Sequence, residues 1–271
     1  MSSFNSLILL LLALACVRAS AEDVYDWQAA PVRGDEVGVL VLCPGMNSNG
    51  VYFLSEEPWV DFADKNKLGL ISVNFSSDPD LMYGAERRGY YWPEQGSGDA
   101  LLSAIKETYG KDLPIVIYGF SGGAQFTSRF VEWVPERISV WAAYSAQFWG
   151  DPVPFDRSPP GVVACGELDG ARWFPSFSYF YKGRELGKPW TWVSIPETGH
   201  HRKGPFEAFV RSYFTEILSA DAASETESFV DIDTEDLQEV DIADASQRQS
   251  GLLVWLPSTK ILNEWKSIHH Q

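Results

Sequence analysis

An α/β domain with a mostly parallel sheet is the fold class that the sequence predicts. Three observations carry it: short continuous apolar runs, helical stretches between them, and a pattern that stops abruptly after residue 218. The runs are Val37 to Leu42, Leu68 to Val73, Ile115 to Tyr118, Val140 to Tyr144, Gly161 to Cys165 and Thr191 to Ile195. Each is apolar without alternation, as a strand must be when helices cover both of its faces. Helices are predicted over Pro58 to Asn66, Ser97 to Tyr109, Gly122 to Val134, Ser176 to Leu186 and Gly204 to Leu218. Strands alternating with helices imply βαβ units joined by right-handed crossovers.

The ends of the chain read differently. Leu7 to Leu14 is an apolar run followed by Ala19-Ser20-Ala21, a small-residue cleavage site. Residues 1–21 therefore read as a signal peptide cleaved near Ala21, and the protein as secreted or periplasmic, with no membrane attachment after cleavage. The run is too short to span a bilayer, which ranks an uncleaved anchor lower. A lipoprotein reading through Cys16 is weaker, because Ala13-Leu14-Ala15 is a poor lipobox. Residues 22–218 form the predicted catalytic domain. Residues 219–250 hold ten acids against one base, Arg248, and read as an acidic linker or an exposed hairpin. Within them Phe229 to Asp233 alternates like a strand, with Val240 to Ile242 as its partner. Residues 251–271 read as a tail packed on the domain. The net charge of −16 argues against nucleic acid and anionic membranes as partners.

The chemistry starts at Ile115-Val116-Ile117-Tyr118-Gly119-Phe120-Ser121-Gly122-Gly123-Ala124. A buried strand runs into G-x-S-x-G and a helix follows, which is the context that gives the motif meaning. Ser121 is then the candidate nucleophile, exposed at the C-terminal edge of the sheet beside a helix N-terminus. A serine hydroxyl needs a base. His200 and His201 follow the last strand of the domain through Pro196-Glu197-Thr198-Gly199; His200 is preferred and His201 is the alternative. The imidazole needs a carboxylate. Asp169, on the loop after the strand Gly161 to Cys165, is the candidate, with Glu167 as runner-up. Each group lies just after a strand, in the chain order Ser, Asp, His. The oxyanion needs two aimed amides. They are expected from Gly122 and from Met46 in the loop Leu42 to Asn47. Cys43 and Cys165 end strands that are not neighbours, so they read as small buried hydrophobes and not as a disulfide.

The segments LCPGMNSNG, IVIYGFSGGAQF, VVACGELDG and IPETGHH resemble the α/β-hydrolase superfamily over about residues 37–218. Within it the chain looks most like secreted esterases of the poly(3-hydroxybutyrate) depolymerase, feruloyl esterase and dienelactone-hydrolase-like group. The resemblance implies an α/β-hydrolase fold with about six to eight strands, helices on both faces and a short C-terminal appendage. It also implies a Ser-His-Asp triad, an acyl-enzyme and no cofactor. Many members have His-Gly where this chain has Pro44-Gly45; the backbone donor survives that change.

The expected substrate is a small-molecule or polymer-borne ester. Tyr83, Arg87, Tyr91 and Trp92 lie on a loop at the sheet edge that carries Ser121, and Trp149 and Trp173 are placed on loops at that edge too. An aromatic rim with arginine suits a planar or sugar-bearing ester; plain packing of a long loop is the competing reading. A serine peptidase or lactonase on the same triad is the first alternative function. A non-catalytic binding protein on a hydrolase fold is the second. No histidine and acid cluster has metal-ligand spacing, so no metal is expected.

Overall fold

The computed structural model describes residues 23–85, 87–147, 150–154, 158–219, 227–234, 237–245 and 248–269. The expected signal peptide at residues 1–21 and Trp149 lie outside the described residues.

The described residues open with a strand that the sequence pattern above does not include, β1 (Val24–Ala29). Tyr25, Trp27 and Ala29 pack against the core while Val24 and Asp26 face outward, so the period-two signal was present. Then follow β2 (Gly38–Cys43), α1 (Glu57–Lys65), β3 (Leu68–Ser76), α2 (Pro79–Tyr83) and α3 (Ser97–Tyr109). After these come β4 (Ile115–Phe120), α4 (Gly122–Trp133), β5 (Ile138–Tyr144), β6 (Gly161–Gly166), α5 (Gly170–Glu185), β7 (Trp190–Ile195) and α6 (Gly204–Ser219). Seven strands form one sheet in the order β1-β3-β2-β4-β5-β6-β7. Only β1 runs antiparallel, with Val24 opposite Ser76 and Ala29 opposite Ile71. The others pair in parallel. Every residue of β2 and β6 is buried, which explains their unbroken apolar runs.

This topology fixes where chemistry can occur. The parallel strands all end on one edge of the sheet, and β4 lies near its centre. Cys43 and Cys165 end β2 and β6, which β4 and β5 separate; both thiols are free and buried.

One boundary needs correcting. The sequence places the start of the fourth predicted helix, α5 of the structure, at Ser176, after Pro175. The helix instead begins at Gly170 and carries Pro175 inside it. The Asp169 carbonyl accepts from the amides of both Arg172 and Trp173, at 2.8 and 2.9 Å, so the turn is closed before the proline. Trp173 is therefore on a helix and not on a loop.

Beyond residue 219 the chain forms β8 (Ser228–Asp231), β9 (Gln238–Val240), α7 (Ile242–Ala245), β10 (Leu253–Leu256) and α8 (Thr259–His269). These strands make a second sheet in the order β10-β8-β9. The piece lies against β7, the last strand of the main sheet. Thr191 donates to the Trp255 carbonyl at 2.6 Å, and the Trp265 indole donates to the Trp192 carbonyl at 2.6 Å. An edge strand with open backbone groups invites pairing with other chains, and these contacts occupy part of that edge. Trp265 is fully buried. Trp265→Ala removes a large core side chain and orphans a buried carbonyl. It should lower unfolding free energy by about 3–5 kcal/mol in a urea titration; a loss below about 1 kcal/mol would show that this tail does not stabilise the main domain.

Candidate active site

Ser121 stands between β4 and α4 with φ 55° and ψ −118°. This is a conformation that non-glycine residues avoid, and it persists only where the surroundings enforce it. They do so here by close approach. A Cβ on Gly123 would lie 2.2 Å from the Cys43 carbonyl oxygen. A Cβ on Gly122 would lie 2.7 Å from the Met46 amide nitrogen. Any larger residue at either position would push α4 away from the loop that follows β2. The Ser121 amide donates to the Tyr144 carbonyl at 2.8 Å, which ties the turn to β5.

The sequence-selected groups meet at this turn. Ser121 Oγ lies 2.9 Å from His200 Nε2, and His200 Nδ1 lies 2.7 Å from Asp169 Oδ2. The Asp169 side chain is 4% exposed and that of His200 is 31% exposed, so the acid is enclosed and the base faces the solvent side. His201 is not part of this chain of contacts; its carbonyl accepts from Tyr144 Oη at 2.7 Å. Glu167, the runner-up acid, instead accepts the Glu197 amide at 3.1 Å. The imidazole is stacked on Phe120, with ring centroids 5.1 Å apart and an interplanar angle of 26°.

The loop of Met46 is held by its neighbour. Asn47 has φ 51°, a left-handed turn that asparagine tolerates. Its side chain donates to the Ser77 carbonyl at 2.9 Å and accepts the Ser77 amide at 3.2 Å. The Met46 amide thus faces the first turn of α4, where the Gly122 amide is one of the orphan donors of a helix start. Both dipole and donors favour negative charge there.

Two positioning groups were not anticipated. Arg172 Nη1 lies 3.0 Å from Asp169 Oδ1, so the carboxylate holds the imidazole with one oxygen and a guanidinium with the other. The spacing, three residues into a helix that Asp169 caps, was visible in the sequence. Arg202 makes paired contacts to Glu56 at 2.6 and 2.7 Å and to Glu207 at 2.6 and 2.9 Å. Burial opposes the charge of Arg202, but the two carboxylates outweigh it and raise its pKa above the ordinary arginine value. Tyr118 Oη donates to Glu207 at 2.9 Å, and burial and that carboxylate push the phenol well above its usual range. This network spans elements far apart in sequence, which is why pattern reading passes over it.

The expected rim is only partly a rim. Tyr83 is 46% exposed, with its Oη 3.3 Å from Met46 Sδ and 3.3 Å from Tyr91 Oη. Tyr91, however, is buried at 2% exposure. Trp92 lies between guanidinium groups, with Arg129 at 3.6 Å and Arg87 at 5.0 Å from its ring centroid, and its indole donates to the Met82 carbonyl. Trp173 donates to Ser194 Oγ at 2.8 Å and stacks on Phe177. Tyr91 is thus a buried support of the edge, whereas Trp92 and Trp173 are half-buried and Arg87 is exposed. The loop needs its own core because it is too long to be held by backbone pairing alone. Phe174, next to Trp173, is the exposed member at 68%.

No family model matches the sequence, and no curated protein does. Solved structures do match the fold. One is a protein of unknown function from Agrobacterium tumefaciens str. C58, 17% identical, with a TM-score of 0.52 over 70% of this chain and 95% of that one. Another is S-formylglutathione hydrolase from Staphylococcus aureus, 14% identical, with a TM-score of 0.52 over 74% of this chain and 98% of that one. A third is a hyperthermophilic esterase from the archaeon Pyrobaculum calidifontis, 12% identical, with a TM-score of 0.51 over 72% and 86%. This chain has the α/β-hydrolase fold. Within that fold, its seven-stranded sheet carries Ser121 at the end of a central strand.

The two thiols near the site should be chemically silent. Burial raises the Cys43 thiol to about 12 and the Cys165 thiol to about 11. The thiolate is the reactive species, so near pH 8 neither should react with an aromatic disulfide reagent in the native protein, and both should react in guanidinium. Rapid native labelling of either would contradict this burial.

Proposed function

We propose that this protein is a serine hydrolase that cleaves carboxylic esters through an acyl-enzyme intermediate. The observation that carries the reading is the unbroken contact chain from Ser121 Oγ through His200 to Asp169, at 2.9 and 2.7 Å, at the start of α4.

In this reading His200 Nε2 takes the Ser121 proton as Oγ attacks the ester carbonyl carbon. The carbonyl electron pair moves onto oxygen, and the amides of Gly122 and Met46 stabilise the resulting oxyanion. The imidazolium then protonates the leaving alkoxide as the carbon–oxygen bond breaks. Water repeats the sequence on the acyl-enzyme and returns Ser121. Asp169 keeps the Nδ1 proton facing inward, so that Nε2 is the basic nitrogen. Structural neighbours described as an esterase and as S-formylglutathione hydrolase support ester and thioester carbonyls as the substrate class. Tyr83 and Met46 at the open edge favour an acyl or alcohol group with apolar surface, free or polymer-borne. The leader sequence supports export as the cellular setting.

Ser121→Ala should abolish turnover of short aryl esters while leaving the melting temperature near that of the wild type; wild-type-like hydrolysis by this variant would sink the assignment. Asp169→Asn should lower kcat by about 10⁴-fold. His200→Gln should be similarly inactive, whereas His201→Gln should keep most of its activity, since His201 contributes a carbonyl that any residue supplies. Steady-state rates on an aryl acetate separate these outcomes, and an inactive His201→Gln beside an active His200→Gln would reverse the base.

A further inference from the structure

Tyr144 touches the nucleophile turn and the histidine loop at once. It ends β5, fully buried, opposite Phe120 of β4 on one side and Ala164 of β6 on the other. Its carbonyl accepts the Ser121 amide at 2.8 Å. Its phenol oxygen lies 2.7 Å from the His201 carbonyl oxygen. A carbonyl can only accept, so the phenol proton lies on this bond. Cys165, Asp169, Glu207 and Ser145 also face the phenol. Burial first, then the thiol and the two carboxylates, hold its pKa well above the ordinary value against a lowering by Ser145, so the hydroxyl keeps its proton. The ring packs on Phe120 with centroids 5.2 Å apart, and Phe120 is in turn stacked on the His200 imidazole at 5.1 Å. Phe206 of α6 packs on the same ring at 4.9 Å.

We propose that Tyr144 is a positioning residue that sets the spacing between nucleophile and base. This rests on the serine-esterase reading above. The Tyr144 carbonyl fixes where Ser121 leaves the sheet. The hydroxyl fixes the carbonyl of the residue next to His200, in a turn that the His201 amide closes on Gly199 at 3.0 Å. Both bonds come from one residue in the interior of a parallel sheet, so both groups are held against one rigid element. The other anchors of this loop lead elsewhere. The Thr198 carbonyl accepts the Leu168 amide at 2.8 Å, which ties the loop to the segment of the acid. Arg202 ties it to Glu56 and Glu207. His200 Nδ1 is held by Asp169, yet that bond alone lets the imidazole pivot about it and move Nε2 relative to Ser121 Oγ. Tyr144 opposes that pivot without touching the reacting atoms.

The test is Tyr144→Phe in the full chain, which removes one oxygen and keeps the ring against Phe120. Titration with a fluorophosphonate counts the competent serines, so kcat is read per site whatever fraction of the sample is folded. On an aryl acetate kcat per site should fall about 10-fold with KM within about two-fold, because a shifted base slows proton transfer and leaves binding alone. Tyr179→Phe is the control. It removes another buried phenol hydroxyl, one that donates to Glu132 at 3.0 Å from the second half of α5. A remote site of this kind should leave kcat per site within about two-fold. Equal losses in the two variants, or an unchanged kcat per site in Tyr144→Phe, would overturn the role of Tyr144. A Tyr144→Phe protein without the near-ultraviolet circular dichroism of the wild type would overturn it too, since the hydroxyl would then serve folding and not positioning. Wild-type protein that hydrolyses no ester would overturn the esterase reading itself, and the proposal with it. Wild-type turnover that Ser121→Ala abolishes and Tyr144→Phe leaves intact would overturn the proposal alone.

Discussion

Ser121 holds a backbone conformation that costs on the order of 1–3 kcal/mol, and the rest of the site exists because the fold pays that cost. The strand β4 must turn into α4 within one residue for the serine to stand clear of the sheet. That turn is enforced from several sides. Tyr144 takes the Ser121 amide, and Gly123 lets the helix start sit against the Cys43 carbonyl. The same close approach carries the Met46 amide next to Gly122. The strain at the serine and the alignment of the candidate oxyanion donors are therefore one constraint. Loosening it by enlarging Gly123 would relax the serine and misplace the donors together.

The sequence is informative about this constraint because it is local. Gly119, Ser121, Gly122 and Gly123 fall within five residues, and a buried strand and a helix flank them on either side. Chain order then selects Asp169 and His200, each one short loop beyond a strand. The six parallel strands were legible for a similar reason: burial on both faces leaves an unbroken apolar run. β1 was harder to see. It is an edge strand, half exposed, with an alternation only six residues long.

What the sequence hides is contact between distant segments. Arg202 reaches Glu56 across 146 residues, and Tyr90 reaches the Met46 loop across 43. No periodicity records such pairs. The aromatic loop shows the cost of ignoring this: composition marks Tyr83, Tyr91, Trp92 and Trp173 alike, yet only Tyr83 is substantially exposed. Arg129, from α4, decides the fate of Trp92 by packing on its face. A helix residue was needed to interpret a loop residue.

The supports of the histidine loop and of the acid are arranged asymmetrically, and the difference follows from what each must do. Arg202 binds two carboxylates and never touches the imidazole; Glu56 and Glu207 complete its charge, so it fixes the loop while adding little field at His200. Arg172 touches the acid itself and leaves one Asp169 oxygen for the imidazole. A buried carboxylate with a single partner would be free to rotate and to draw in water. With two partners on separate oxygens, its plane is set, and so is the direction of the Nδ1 hydrogen bond. The orientation of His200 is thus transmitted from the first turn of α5, through Arg172 and Asp169, to the atom that faces Ser121. The boundary at Gly170 is what makes this work. Had the helix begun after Pro175, Arg172 would lie in open loop and the acid would have no second anchor.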